Sequence, residues 1–217
     1  MDYSPIATTY HLIENVTMGR VLQQVRTSQL NRLATLTSVR NALLVGEGDG
    51  SFLIAFAKQF PNTRITVVEQ SRAMIQRATD RFMNAGFSTE RISFIQADLL
   101  ECELPTATFD FVTTLFFLDN FDDATAQKCI DRIFPSITDS AYWLISDFCI
   151  PPNGWLRWRA LLWLKVLYAF FKSTTSIKAR RLPDLDTCLG ASPLRLMYRK
   201  EHCGRMLFSS LYQHQPY

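Results

Sequence analysis

Three glycines at alternate positions, in the segment Gly46-Glu47-Gly48-Asp49-Gly50, constrain this chain more than any other feature. They follow the apolar run 41–45, which predicts a buried strand, and they precede residues 51–60, which predict a helix. Glycine tolerates positive φ and has no Cβ, so a ligand can lie directly on the backbone of such a turn. The helix N-terminus adds amide donors and the positive end of a dipole. The segment therefore predicts a ligand site at the carboxyl edge of a sheet, with a purely structural turn as the alternative.

Strands and helices alternate along the next hundred residues. The predicted strands are 64–69, 91–96, 109–116 and 141–146, and the predicted helices are 71–82 and 122–133. This alternation predicts βαβ units with right-handed crossovers, and hence an α/β, doubly wound, mostly parallel sheet with helices on both faces. Two further strand-like runs, 194–198 and 205–212, lie on either side of Gly204 and predict an antiparallel pair.

The chain is predicted to form one domain with four parts. These are an N-terminal helical segment (1–40), a ligand-binding core (41–150), a helical insertion or lid (151–192) and a terminal β-hairpin (193–217).

Two acids follow predicted strands at positions suited to a nucleoside. Glu69 ends the second strand, 23 residues after Gly46. An acid about 20 residues beyond a glycine turn can accept hydrogen bonds from both ribose hydroxyls, and it would repel a 2′-phosphate, which disfavours NADP. Asp98 follows the third strand, where its carboxylate either accepts a hydrogen bond from an adenine amine or caps a turn.

Taken in order, four motifs resemble those of class I S-adenosylmethionine-dependent methyltransferases. They are residues 46–50, 68–74, 96–98 and 109–113, and the likeness is greatest to small bacterial members of the ubiquinone/menaquinone-methylase-like kind. The resemblance implies S-adenosylmethionine as cofactor. It also implies a Rossmann-like seven-stranded sheet with an antiparallel C-terminal hairpin, and methyl transfer to a small acceptor.

The same resemblance assigns cofactor-binding roles to individual residues. They are Gly46, Glu47, Gly48, Asp49 and Gly50 along the methionine moiety, Glu69 at the ribose, Gln70, Met74, Asp98 and Leu99 around the adenine, and Thr114 and Leu115 beneath the sulfonium. Members of the family usually carry an acid two residues before the first glycine, where this chain has Leu44. Either Glu47 or Asp49 takes over the role of that acid in binding the cofactor, or this role is lost.

A catalytic base is needed only for some acceptors. Methyl transfer from a sulfonium depends mainly on alignment, because the leaving group is neutral. A phenol, an enol or a carbon acid must also lose a proton. The candidate bases are Asp119 after the fourth strand, and Tyr10 or His11 near the N-terminus. Capping of the next helix is the alternative role for Asp119, an exposed position is the alternative for His11, and Asp147 either orients substrate or caps a loop.

The last third of the chain is basic and aromatic. Residues 151–217 carry 11 Lys+Arg and 3 Asp+Glu, whereas residues 1–150 carry 12 and 17. Residues 155–171 are apolar on nearly every side of a helix, which predicts core packing, a dimer interface, a lid over a hydrophobic or aromatic acceptor, or a peripheral membrane contact. The segment is too short and too charged to span a bilayer, and no nucleic-acid motif is present, so a nucleic-acid partner is not expected.

The cysteine pattern bears on metal binding and on the location of the protein. Five cysteines without a CxxC pair argue against a disulfide framework and a thiolate zinc site, so we expect no metal and a cytoplasmic location.

Tyr168 and Lys172 have the Y-x-x-x-K spacing of short-chain dehydrogenases, although the glycine spacing differs from that family. The rivals are therefore an NAD-dependent oxidoreductase and a non-catalytic Rossmann-like protein that binds a partner or a membrane.

Overall fold

A computed structural model describes residues 19–162, 182–190 and 192–215. Its centre is one seven-stranded sheet in the order β3-β2-β1-β4-β5-β7-β6. The strands are β1 (Asn41–Val45), β2 (Arg64–Glu69), β3 (Ile92–Gln96), β4 (Phe109–Leu115), β5 (Ile137–Phe148), β6 (Leu194–His202) and β7 (Leu207–His214). Strands β1 to β5 run parallel, and β7 pairs antiparallel with both β5 and β6. The predicted Rossmann-like sheet and its antiparallel hairpin are confirmed.

Helices pack on both faces of this sheet. They are α1 (Gly19–Thr27), α2 (Leu30–Leu36), α3 (Ser51–Gln59), α4 (Arg72–Asn84), α5 (Asp123–Ile133), α6 (154–162) and α7 (Leu185–Gly190). Side chains of α2, α3 and α4 share one buried cluster with β1 and β2, whereas α5 and α7 pack in a second cluster on the opposite face. Helix α1 lies against α3.

Several elements differ from the sequence predictions. The strand predicted at 194–198 extends to His202 as β6, and the strand predicted at 205–212 is β7 at Leu207–His214. The N-terminal helical pattern breaks at Ser28 and Gln29 into α1 and α2, and β5 extends beyond the predicted 141–146 at both ends. Helix α7 was not predicted. Asp184, the residue before it, is of a type that favours the N-cap position, and its Oδ1 accepts a hydrogen bond from the Thr187 amide at 3.1 Å. The predicted helix 155–171 is described as far as residue 162.

The register of the parallel strands brings the candidate residues to one edge. Val45, the last residue of β1, pairs with Val68 in β2 and with Thr114 in β4. Leu115, which ends β4, pairs with Ser146 near the end of β5. The glycine turn, Glu69 and the segments that follow β4 and β5 therefore leave the sheet at the same edge.

Candidate functional site

The glycine turn has a backbone that its glycines make possible. Gly46, Gly48 and Gly50 have φ of +64°, +69° and +82°. A Cβ added at Gly50 would lie 2.8 Å from the Cα of Ala78 in α4, and one added at Gly46 would collide with the ring of Phe117. A Cβ at Gly48 would meet no atom within 4 Å. Packing therefore requires glycine at both ends of the turn, whereas the middle glycine leaves open backbone above it.

Glu69 ties this turn to the start of α4. Its Oε2 accepts a hydrogen bond from the Gly48 amide at 3.1 Å, and its Oε1 accepts one from the Ser71 amide at 2.9 Å. Burial raises the pKa of the carboxyl, and the backbone donors oppose that effect. Each oxygen keeps a second lone pair, so the carboxylate can also accept from two ribose hydroxyls. The position fits the predicted ribose role, which stays a prediction.

Asp49 holds the turn against α4. Its Oδ1 accepts from the Ser51 amide at 3.0 Å, and its Oδ2 forms an ion pair with Arg81 at 2.7 Å. Arg81 also donates to the Ser51 hydroxyl. These oxygens face the protein, so the predicted contact of Asp49 with the methionine moiety has less support than that of Gly48.

Glu47 is a half-buried acid beside a buried arginine. Its Oε1 accepts from the Leu53 amide in the first turn of α3 at 2.8 Å. Burial raises its pKa to about 8, and the charge of Arg26 opposes that rise. Arg26 belongs to α1, and its guanidinium carbon lies 5.4 Å from the ring centroid of Phe116. The sequence did not single out Arg26. Its only signal there is its position four residues after Leu22, which places a charged side chain on the apolar side of the predicted helix.

Asp119, in the segment after β4, lies beside the buried Asp147 near the end of β5. Asp147 Oδ2 accepts from the Asp119 amide at 3.1 Å, and the two side chains also hydrogen-bond to each other. The side-chain amide Nδ2 of Asn120 donates to Asp119 Oδ1 at 3.1 Å. Burial raises the pKa of Asp119 to about 7, and burial together with the charge of Asp119 raises that of Asp147.

The helix cap that was the alternative role for Asp119 belongs to another residue. Asp122 is the N-cap of α5, and its Oδ1 accepts from the Thr125 amide at 2.8 Å. Asp147 lies within β5 and not in a loop after it, and its Oδ1 accepts from the neighbouring Phe148 amide at 2.9 Å.

The predicted adenine and sulfonium residues lie along the same edge of the sheet. The Ala97 amide donates to the Glu69 carbonyl at 3.3 Å, which brings Asp98 close to Gln70. Asp98 Oδ1 accepts from the Leu100 amide at 3.0 Å, so it caps a turn as its alternative role predicts. Met74, Leu99 and Leu115 are buried. The Thr114 hydroxyl accepts from the Trp143 indole at 3.1 Å within the core, so this hydroxyl is directed away from solvent.

Several predicted features fall outside the described residues. Tyr10 and His11 do so, as do Tyr168 and Lys172 of the dehydrogenase-like pair. Within the described ranges, no group of three or more His, Cys, Asp or Glu side chains is arranged to hold a metal ion. None of the helices in those ranges is long and apolar enough to cross a membrane.

Comparison with known proteins identifies the core of this fold. Residues 42–138 match the model of the methyltransferase domain family. This part of the chain is therefore similar to methyltransferase domains. It is 29% identical over 122 residues to an uncharacterized methyltransferase of Mycobacterium bovis, covering 55% of this chain and 56% of that protein. It is 26% identical over 126 residues to the carboxy-S-adenosyl-L-methionine synthase of Nautilia profundicola, covering 58% of this chain and 52% of that enzyme. The chain thus matches about half the length of these curated relatives.

Solved methyltransferase structures share the fold of this domain. Magnesium protoporphyrin IX methyltransferase from Synechocystis PCC 6803, solved with bound S-adenosylhomocysteine, superposes with a TM-score of 0.67 at 19% identity, over 90% of this chain and 85% of that one. The N-methyltransferase NodS from Bradyrhizobium japonicum gives 0.60 at 18% identity, over 90% and 97%. The family match over the core and the shared fold support the predicted family, whereas the ubiquinone/menaquinone-like subtype stays a prediction.

Proposed function

We propose that this protein binds S-adenosylmethionine and transfers its methyl group to a small hydrophobic or aromatic acceptor. The observation that carries the proposal is the open backbone at Gly48, whose amide is held by Glu69. The turn leaves β1 between β2 and β4, where the strand order reverses and ligands of open α/β sheets bind. The Nautilia relative is named for a product derived from S-adenosylmethionine, which supports the same cofactor.

The residues of this site fit the cofactor by shape and by charge. The bare backbone of Gly48 can lie against the methionine moiety, and the Glu69 carboxylate can accept from the ribose hydroxyls. The cofactor supplies an activated methyl group when it is bound. The protein has to align an acceptor with that methyl group and exclude water.

Aromatic rings beside the glycine turn support a hydrophobic or aromatic acceptor. Phe116, directly after β4, packs edge-on against Phe148 with ring centroids 5.4 Å apart. Phe117 packs edge-on against Phe121 at 5.2 Å, and its ring closes on Gly46. These side chains place apolar surface next to the proposed methyl donor.

Calorimetry with two ligands tests the cofactor. We expect S-adenosylhomocysteine to bind and NAD not to bind. Tight binding of NAD without binding of S-adenosylhomocysteine would reject the proposal and favour the oxidoreductase. Binding of neither ligand would favour the non-catalytic alternative.

Helix α6 carries the proposal of a peripheral membrane contact. Trp155, Trp158 and Leu162 are 68%, 76% and 65% exposed, and their spacing places them on one face of the helix. In the sequence, the basic residues Lys165, Lys172, Lys178, Arg180 and Arg181 follow this face. Exposed tryptophans beside cations suit an anionic lipid surface.

Vesicle sedimentation tests this surface. Salt-sensitive binding to anionic vesicles should be lost in Trp155→Ala/Trp158→Ala and kept in Met83→Ala, which truncates a 49% exposed side chain on α4. A dimer in solution that the double variant dissociates, without vesicle binding, would instead support the predicted homodimer. The single-domain organisation and the cytoplasmic location remain predictions.

A further inference from the structure

The half-buried Asp119 and the buried Asp147 contact each other. Asp147 is fully buried, and its side chain hydrogen-bonds both to the backbone and to the side chain of Asp119. A hydrogen bond between two carboxyls needs a donor, and two ionised carboxylates have none. Two ionised carboxylates held this close, with Asp147 fully buried, would also repel each other, which favours one proton on the pair.

Among the described residues, titratable groups of α1 and of the segment after β5 interact with the pair through their charge. Arg26 of α1 acts on Asp119 and on Glu47 of the glycine turn, and it lowers the pKa of both. Cys149, which follows β5, has its pKa raised in part by Asp147. One buried guanidinium thus acts by its charge on both the glycine turn and the carboxyl pair.

The pair lies close to the proposed position of the sulfonium. Phe117, two residues before Asp119, contacts the position of a Cβ at Gly46. The Phe116 amide donates to the Ser146 carbonyl at 2.7 Å, next to Asp147 in the chain. A positive charge beside the glycine turn would favour the ionised form of a neighbouring carboxyl.

We propose that Asp119 and Asp147 share one proton, that their charge responds to the cofactor's sulfonium, and that Asp119 is the base for an acceptor with an O–H or N–H group. Asp147 is a positioning residue, because it acts through Asp119. The inference rests on the proposed function. It deepens that function by specifying an acceptor that loses a proton when it is methylated.

The proposed step balances with S-adenosylmethionine as methyl donor. A lone pair on the acceptor oxygen or nitrogen forms a bond to the methyl carbon. The carbon–sulfur bonding pair stays on sulfur and gives a neutral thioether. The acceptor's proton passes to the ionised carboxyl of the pair.

Proton counting tests the pair without knowledge of the acceptor. Calorimetric titrations near pH 7, in two buffers with different ionisation enthalpies, measure the protons released when S-adenosylmethionine or S-adenosylhomocysteine binds. The two ligands differ by one methyl group and one positive charge. We expect the sulfonium ligand to release more protons, by a few tenths per site. Asp119→Asn and Asp147→Asn should each abolish the difference, and Asp139→Asn, which removes an exposed acid at the opposite end of β5, should retain it.

Each outcome of this experiment has a separate meaning. Equal proton release by the two bound ligands would overturn the inference and leave the proposed function standing. A difference that persists in both asparagine variants would also overturn it. Failure of both ligands to bind would reject the proposed function and the inference with it. If the asparagine variants do not fold, the wild-type protein still decides, because its preference for S-adenosylmethionine over S-adenosylhomocysteine should weaken as the pH falls from 8 to 6. A constant preference would overturn the inference.

Discussion

Replacing Gly48 by alanine separates a ligand contact from a folding effect, because Gly86 provides a matched control. The two residues have φ of +69° and +83°, and an added Cβ meets no atom within 4 Å at either position. Each alanine should therefore cost about 1 to 2 kcal/mol of unfolding free energy for its left-handed backbone and no more. At Gly48 alone the new methyl group occupies the space proposed for the cofactor.

The expected binding effect follows from that overlap. A methyl group forced into a filled contact costs about 1 to 3 kcal/mol, which is roughly a 5- to 150-fold loss of affinity. Gly48→Ala should weaken S-adenosylhomocysteine binding by this amount, and Gly86→Ala should bind like the wild type. Calorimetry measures the affinity, and urea unfolding without ligand measures the stability.

Gly50→Ala completes the series with a contact inside the protein. Its Cβ would lie 2.8 Å from the Cα of Ala78, so α4 has to move. We expect a further loss of about 1 to 3 kcal/mol in unfolding free energy beyond that of Gly86→Ala.

Wild-type affinity in Gly48→Ala would refute the reasoning, because the ligand would then not lie on this turn. An equal loss of affinity in Gly86→Ala would show that the effect is not local.

Three further substitutions test single contacts at the same edge of the sheet. Glu69→Gln should weaken S-adenosylhomocysteine binding by about 1.5 to 3 kcal/mol, the range for hydrogen bonds to a charged group, and an unchanged calorimetric affinity would contradict the ribose role. Burial raises the pKa of Glu47 from 4.5 to about 8, so folding takes up a proton between these values and wild-type stability falls as the pH rises through that window. Glu47→Gln lacks this term, so urea unfolding at pH 5 and pH 8 should show the wild type losing about 1 kcal/mol or more relative to the variant, and parallel curves would refute the shift. Ser71→Ala removes the N-cap acceptor of the Met74 amide in α4 and should lower the unfolding free energy by about 1 kcal/mol; no change would show that the cap is dispensable.

Local patterns predicted the strands around the glycine turn residue by residue. Strands Asn41–Val45 and Arg64–Glu69 have the bounds that the sequence predicted. Each is a short apolar or β-branched run that is followed by a polar or glycine residue, and every residue of β1 after Asn41 is buried. Ser71, where the predicted helix 71–82 begins, is the N-cap of α4, and the preference for serine there depends on residues within one helical turn.

Neighbouring side chains decided what the acids of the glycine turn do. The pattern placed Glu47 and Asp49 beside the cofactor, but Arg81 from α4 holds Asp49 against the protein. Glu47 hydrogen-bonds to the first turn of α3. Residue type and spacing show that an acid is present, whereas the direction in which its side chain points depends on partners elsewhere in the chain.

The sequence by itself determined the order of the elements, the glycine turn and the acid at the end of β2, because periodicity and glycine's freedom at positive φ act over a few residues. Only the tertiary structure brought Asp119 beside Asp147 and set Arg26 close to both Glu47 and Asp119. Those contacts join residues that lie far apart in the chain. They exist because β4 and β5 are adjacent parallel strands and because α1 packs against α3.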